Sequence, residues 1–178
     1  MLVDDGETTM LGDFRPGYTL WQKTSRDLVV IIIQGEGGDL LSQDVEDGFT
    51  IIKKVICECE KYATFYDLTE GMSNLWPQAP ALLSFAAEIR EIAAQRQVCT
   101  IAVCPDERVR NWVRWLLGLA SKGISYYIVQ TTAEGWKYLD SDPSSVTADV
   151  FGEEATLPLT LASGSAPLSW DTTTLLAL

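Results

Sequence analysis

The chain contains no histidine, which excludes imidazole general bases, histidine-containing catalytic triads and histidine metal sites together. Its four cysteines, Cys57, Cys59, Cys99 and Cys104, form no C-x-x-C pair and each falls within an apolar strand or helix pattern. They are expected as reduced core residues in a reducing compartment, with no metal site and no cofactor implied. Positive charge is scarce: 13 Lys and Arg stand against 25 Asp and Glu, a net charge of −12. Nucleic acid and anionic membrane surfaces require clustered cations, so neither is an expected partner. The longest clean apolar run, Leu28 to Ile33, is far short of the roughly 20 residues that span a bilayer. The opening Met-Leu-Val-Asp-Asp also lacks the basic n-region of a signal peptide. The expectation is a soluble, cytoplasmic protein that is not integral to a membrane. Residues 140–178 hold six acids and no lysine or arginine.

What the chain does carry is a regular beat from Leu28 to Leu139, in which apolar strand-like runs alternate with amphipathic stretches of helical length. Strand candidates are Leu28 to Ile33, Ala63 to Leu68, Val98 to Cys104 and Ile124 to Val129, each followed by a helical pattern, as a mostly parallel sheet requires. Tyr18 to Lys23 alternates mildly and is expected to pair antiparallel with the first of these as an edge strand. Ser42 is placed to cap a helix whose inner face is Val45, Phe49, Ile52, Val55, Ile56 and Cys59. A second helix opens at Pro77 and runs to Arg96. A third, capped by Asp106 or its neighbour, presents Val109, Trp112, Val113, Leu116, Leu117 and Ala120, and a short fourth begins at a Thr cap near Thr132.

With 178 residues, 47% of them hydrophobic, the chain can bury one substantial core. The fold class expected is therefore α/β: one domain over 18–140, with a mixed, mostly parallel sheet of about five strands and about four helices. It is flanked by a flexible acidic arm over 1–17 and a low-complexity acidic tail over 141–178. In that tail Leu157 to Leu161 and Trp170 to Leu178 are either weakly ordered chain or segments that dock on the domain or on a partner.

Candidate chemistry is sparse. Gly35-Glu-Gly-Gly38 lies between a strand and a helix, where backbone amides cradle phosphates in other proteins. Position 40 is Leu40, however, and no G-K-[ST] follows, so a turn is the simpler reading. Asp67 stands at the carboxyl end of its strand, where open α/β sheets place functional groups. The acidic pair and the lysine of a receiver-type site are missing, which leaves Asp67 as a cap of the turn Leu68 to Gly71. Asp106 and Glu107 beside Arg108 and Arg110 form either an acid–base cluster or the first turn of a helix whose dipole they complement. Trp76, in a loop, and Trp112 and Trp115, on the third helix, are candidates to anchor a protein partner or to roof an apolar pocket for a small molecule or lipid.

The order strand, strand, helix, strand, helix, strand, helix, strand, helix, with an antiparallel start, resembles the STAS domain. Tyr66-Asp-Leu-Thr-Glu-Gly-Met72, Phe85-Ala-Ala-Glu-Ile-Arg90, Cys99-Thr-Ile-Ala-Val-Cys-Pro105 and Ala133-Glu-Gly-Trp-Lys-Tyr-Leu139 are similar to its sporulation anti-anti-sigma-factor-like branch. The resemblance covers about 18–140. It implies a non-enzymatic regulatory module that binds a protein partner through the loop and helix start after the central strand. Signalling members carry a phosphorylated serine there within D-S-[ST]-G. That motif is absent, and the matching stretch Gly71-Met-Ser-Asn-Leu-Trp-Pro77 leaves Ser73, or Thr69, as the phospho-switch candidate, with Asp67, Asn74 and Trp76 beside it. A phosphate at a helix N-terminus would meet unpaired N–H groups.

Overall fold

The computed structural model describes residues 6–25, 27–72 and 75–140. They form one six-stranded sheet in the order β1 (Glu7–Phe14), β2 (Tyr18–Ser25), β3 (Leu28–Gly35), β4 (Tyr62–Asp67), β5 (Gln97–Val103) and β6 (Tyr126–Val129). The first three strands are an antiparallel meander and β3 to β6 are parallel. Five helices connect and cover them: α1 (Ser42–Glu58), α2 (Ala79–Glu88), α3 (Arg90–Arg96), α4 (Glu107–Ala120) and α5 (Thr132–Asp140). Among the described residues no helix is long and apolar enough to cross a membrane.

The α/β class and the mixed sheet agree with the sequence pattern; the counts do not. Glu7–Phe14, expected within a loose arm, is strand β1, so Tyr18–Ser25 lies inside the sheet rather than at its edge. Its short, polar residues alternate weakly because the strand is largely exposed, and an exposed strand leaves no apolar stripe to read. The helix expected from Pro77 to Arg96 is two helices after a 3₁₀ turn, Trp76–Gln78, with the break at Ile89. Ser42 begins α1 but does not cap it, since Leu41 occupies the cap position and makes no side-chain bond. Cys57 is exposed and Cys59 half-buried, whereas Cys99 and Cys104 are buried thiols; all four are free. The tail over 141–178 lies outside the described residues.

Other local signals hold. Asp106 accepts from Arg108 N at 2.7 Å and Val109 N at 3.3 Å, capping α4. Before α5, the Thr131 hydroxyl accepts from Glu134 N at 3.2 Å while the Glu134 carboxylate accepts from Gln130 N and Thr131 N, a reciprocal capping box.

Strand alternation divides the core. Leu20, Ile31, Ile33 and Tyr62 face α1 and its neighbours, and Ala102 with Cys104 faces α4. Val30, Ala63, Phe65 and Ile101 face the other way, against α5, where Phe65 stacks on Trp136 at 4.5 Å. Helices α1 to α4 thus cover one face, called the front here, and α5 covers the back. Gly48 sets how closely α1 approaches: the Tyr18 hydroxyl donates to Asp44 O at 2.6 Å, and a Cβ on Gly48 would collide with the Tyr18 hydroxyl oxygen.

Gly48→Ala is therefore expected to cost about 1–3 kcal/mol despite alanine's better helix propensity. Tyr18→Phe in the same chain should recover part of the loss in urea denaturation, and full stability of the single variant would refute the contact. Burial also pushes Cys99 up to about 11, and Cys104 and Tyr66 up to about 12. The fold holds these groups neutral, so their contribution is complete below about pH 9, the ordinary thiol value, and is lost as pH rises through 11 to 12. Denaturation midpoints should be level between about pH 7 and 8.5 and fall above, and Cys99→Ala with Cys104→Ala should flatten that fall.

Candidate functional site

Between the front face and its helices lies a cavity of about 150 Å³. Its walls are mainly apolar: Ile33 and Tyr66 from the sheet, Phe49 and Ile52 from α1, Phe85 from α2 and Leu116 from α4 are among them. Helix α2 sits between α1 and α4, stacking Phe85 on Phe49 at 4.2 Å. Lys53 and Glu88 add an exposed ion pair between α1 and α2, which solvent screens. Every lining residue is buried or half-buried except Arg90 and Lys122. The mouth therefore lies between the start of α3 and the end of α4.

Two polar features interrupt the apolar wall. Trp112 lines the cavity, and its Nε1 is the buried side-chain polar atom without a hydrogen-bond partner among the described residues. Leaving such a donor unpaired costs about 1–3 kcal/mol. The second is a cluster on the sheet itself. The Gln97 Oε1 accepts from the Tyr62 hydroxyl at 3.3 Å, and the Gln97 Nε2 donates to Thr64 Oγ1 at 3.1 Å and to Thr100 Oγ1 at 2.8 Å. A register irregularity creates this cluster: Tyr62 pairs Gln97 and Thr64 pairs Thr100, so β5 spends three residues where β4 spends two. The extra residue brings Gln97 and Thr100, which strict alternation would separate, to one face.

The residues singled out from the sequence do not form one site. Asp67 points to the back face: its carboxylate accepts from Thr69 N at 3.1 Å, the Thr69 hydroxyl at 2.7 Å and, more weakly, the Thr132 hydroxyl of α5 at 3.3 Å. It fixes the turn after β4, as its position at a strand end suggests. Asp106 and Glu107 belong to the helix on the opposite face, and neither they nor Asp67 line the cavity. Thr69 is exposed; Ser73 and Asn74 lie outside the described residues. Of the three tryptophans only Trp112 lines the cavity. Trp76, 51% exposed, packs outside it with ring centroids 5.4 Å from Trp112 and 5.9 Å from Trp115.

The glycine loop is no phosphate cradle. Glu36 N donates to Gly17 O, Gly37 N to Gly71 O and Gly38 N to Pro16 O, so these amides are committed to backbone carbonyls. Among the described residues no group of three or more Cys, Asp or Glu is arranged to hold a metal ion.

Thr64, Gln97 and Thr100 escaped the sequence reading. Their signal was present as two threonines and a glutamine in or bordering runs that are otherwise apolar or aromatic, Tyr-Ala-Thr-Phe-Tyr and Gln-Val-Cys-Thr-Ile. Threonine fits any strand, so the signal carries little weight until the register irregularity is known. Comparison with family models, with curated proteins and with solved structures finds no match to this chain.

Proposed function

We propose that this chain is a binding module that holds one small apolar molecule between the front face of its sheet and helices α1 to α4. The observation that carries this reading is the cavity itself. An apolar-walled cavity of ~150 Å³ accommodates a guest of benzene size, and native cores otherwise close such volume because unfilled space forfeits dispersion contacts. Among the described residues no Asp or Glu lines the cavity to pair with its Arg90 or Lys122, and the role inferred is capture and release.

A second reading, a regulatory module of STAS-like type, draws support from the order of elements and from Trp76. A half-exposed tryptophan packed against Trp112 and Trp115 suits a protein contact. Native mass spectrometry of the protein taken from its own cells separates the two: a small organic adduct supports the first, and a stoichiometric protein partner or a phosphate supports the second.

The cavity reading also makes a direct forecast. Toluene at saturation should raise the thermal midpoint by several degrees, as a ligand that binds only the folded state must. Ala86→Phe, which places a ring in the cavity wall, should abolish the shift while leaving the circular dichroism spectrum unchanged. Equal shifts in both proteins, or none in either, would remove the cavity as a binding site.

A further inference from the structure

Given that the cavity binds a small molecule, the polar cluster and the mouth define which class. We infer that the guest is an amphipathic monoanion, an apolar body of about ring size bearing a carboxylate-type head, with the head held near Thr64, Thr100, Arg90 and Lys122.

The argument is one of hydrogen-bond inventory. The amide nitrogen of Gln97 spends both of its hydrogens on Thr64 and Thr100, and its oxygen receives the Tyr62 hydroxyl. Each threonine hydroxyl is thereby an acceptor in the cluster, and neither donates to a described residue. A hydroxyl has one proton to give. Thr64 and Thr100, 9% and 3% exposed, therefore hold two buried O–H donors on adjacent strands in the cavity wall. Two neighbouring donors suit an acceptor-only group with two oxygens, and an ionised carboxylate is the common one.

The charge at the mouth agrees. Arg90 and Lys122 are the exposed members of the lining, and neither is ion-paired or hydrogen-bonded among the described residues. On a chain of net charge −12, two unpaired cations at the rim of one cavity are a local reversal of sign, which draws an anion to that opening. A head group that accepts from both buried hydroxyls and faces the two rim cations has the solvation it loses offset by hydrogen bonds and opposite charge. The apolar body then extends along the sheet towards Phe85, Met72 and Trp112. Ten residues of α4 and its end separate Trp112 from Lys122, about 15 Å at the helical rise, so the polar and apolar ends of the cavity are distinct.

The test compares phenylacetate with 2-phenylethanol by calorimetry at neutral pH. They share the ring and nearly the same length and differ in the head. Phenylacetate should bind about tenfold more tightly, the scale of one charge-assisted pair. That preference should shrink in added salt, because the mouth cations are exposed. Arg90→Gln with Lys122→Gln should erase most of it, the loss falling on phenylacetate far more than on 2-phenylethanol. Equal affinity for the two probes, or binding of the alcohol or of toluene alone, would overturn the anionic head while leaving the cavity reading intact. Failure of all three probes to bind would remove the cavity reading, and this inference with it.

Discussion

A chain that lays down parallel strands in one direction across a sheet, each joined to the next by a right-handed crossover, must place every crossover helix on the same face. Here β3, β4, β5 and β6 follow one another in space as in sequence. Helices α1 to α4 accordingly crowd the front, and the back is left to α5, which follows the last strand. Everything distinctive about the molecule depends on that asymmetry. The front is a layer of helices that must share one curved surface, and the back is a close seat for a single short helix. Gly135 meets Phe65 there with no room for a side chain, since a Cβ would lie 2.8 Å from the ring.

Crowding four helices onto one face does not fill it evenly. Helix α1 is drawn onto the sheet at Gly48, where the Tyr18 hydroxyl reaches its backbone, and Arg96 ties its far end by donating to the carbonyls of Ile56, Cys57 and Cys59. Helix α4 is set by its Asp106 cap and by Val113 and Leu117 on Ala102 and Cys104. The α2–α3 segment bridges the two and bends at Ile89 to do so. Beneath it the sheet presents small polar side chains, Thr64 and Thr100, where large apolar ones would close the gap. The cavity is what remains between two anchored helices, a bent bridge and a floor of threonines.

The same asymmetry separates the residues that looked chemical from the place where a ligand fits. Asp67 and the tyrosines of β4 alternate faces by the two-residue period of a strand, so Tyr62 and Tyr66 enter the cavity wall while Asp67 turns to α5. Asp106 and Glu107 are spent at a helix start. Among the described residues no Asp or Glu lines the cavity, and the rim carries the exposed Arg90 and Lys122.

Hydrophobic periodicity and turn chemistry were enough to place β3 to β6, α1, α4 and α5 in the sequence, along with the Asp106 cap and the Asp67 turn, because each rests on neighbours within a few positions. Strand β1 was illegible because an exposed, polar strand carries no alternation, and the bend at Ile89 because the apolar spacing continues through it. Ser42 failed as a cap for a similar reason: the type of residue was right, but the local path of the chain assigned the position to Leu41. By itself the sequence determined the α/β class, the parallel run of strands and the absence of histidine chemistry. Only the tertiary structure decided which face each strand residue occupies. One additional residue in β5 reverses the parity of Gln97 and joins it to Thr64, Thr100 and Tyr62. Such a shift is settled by pairing with β4, more than thirty positions away, and no local pattern records it.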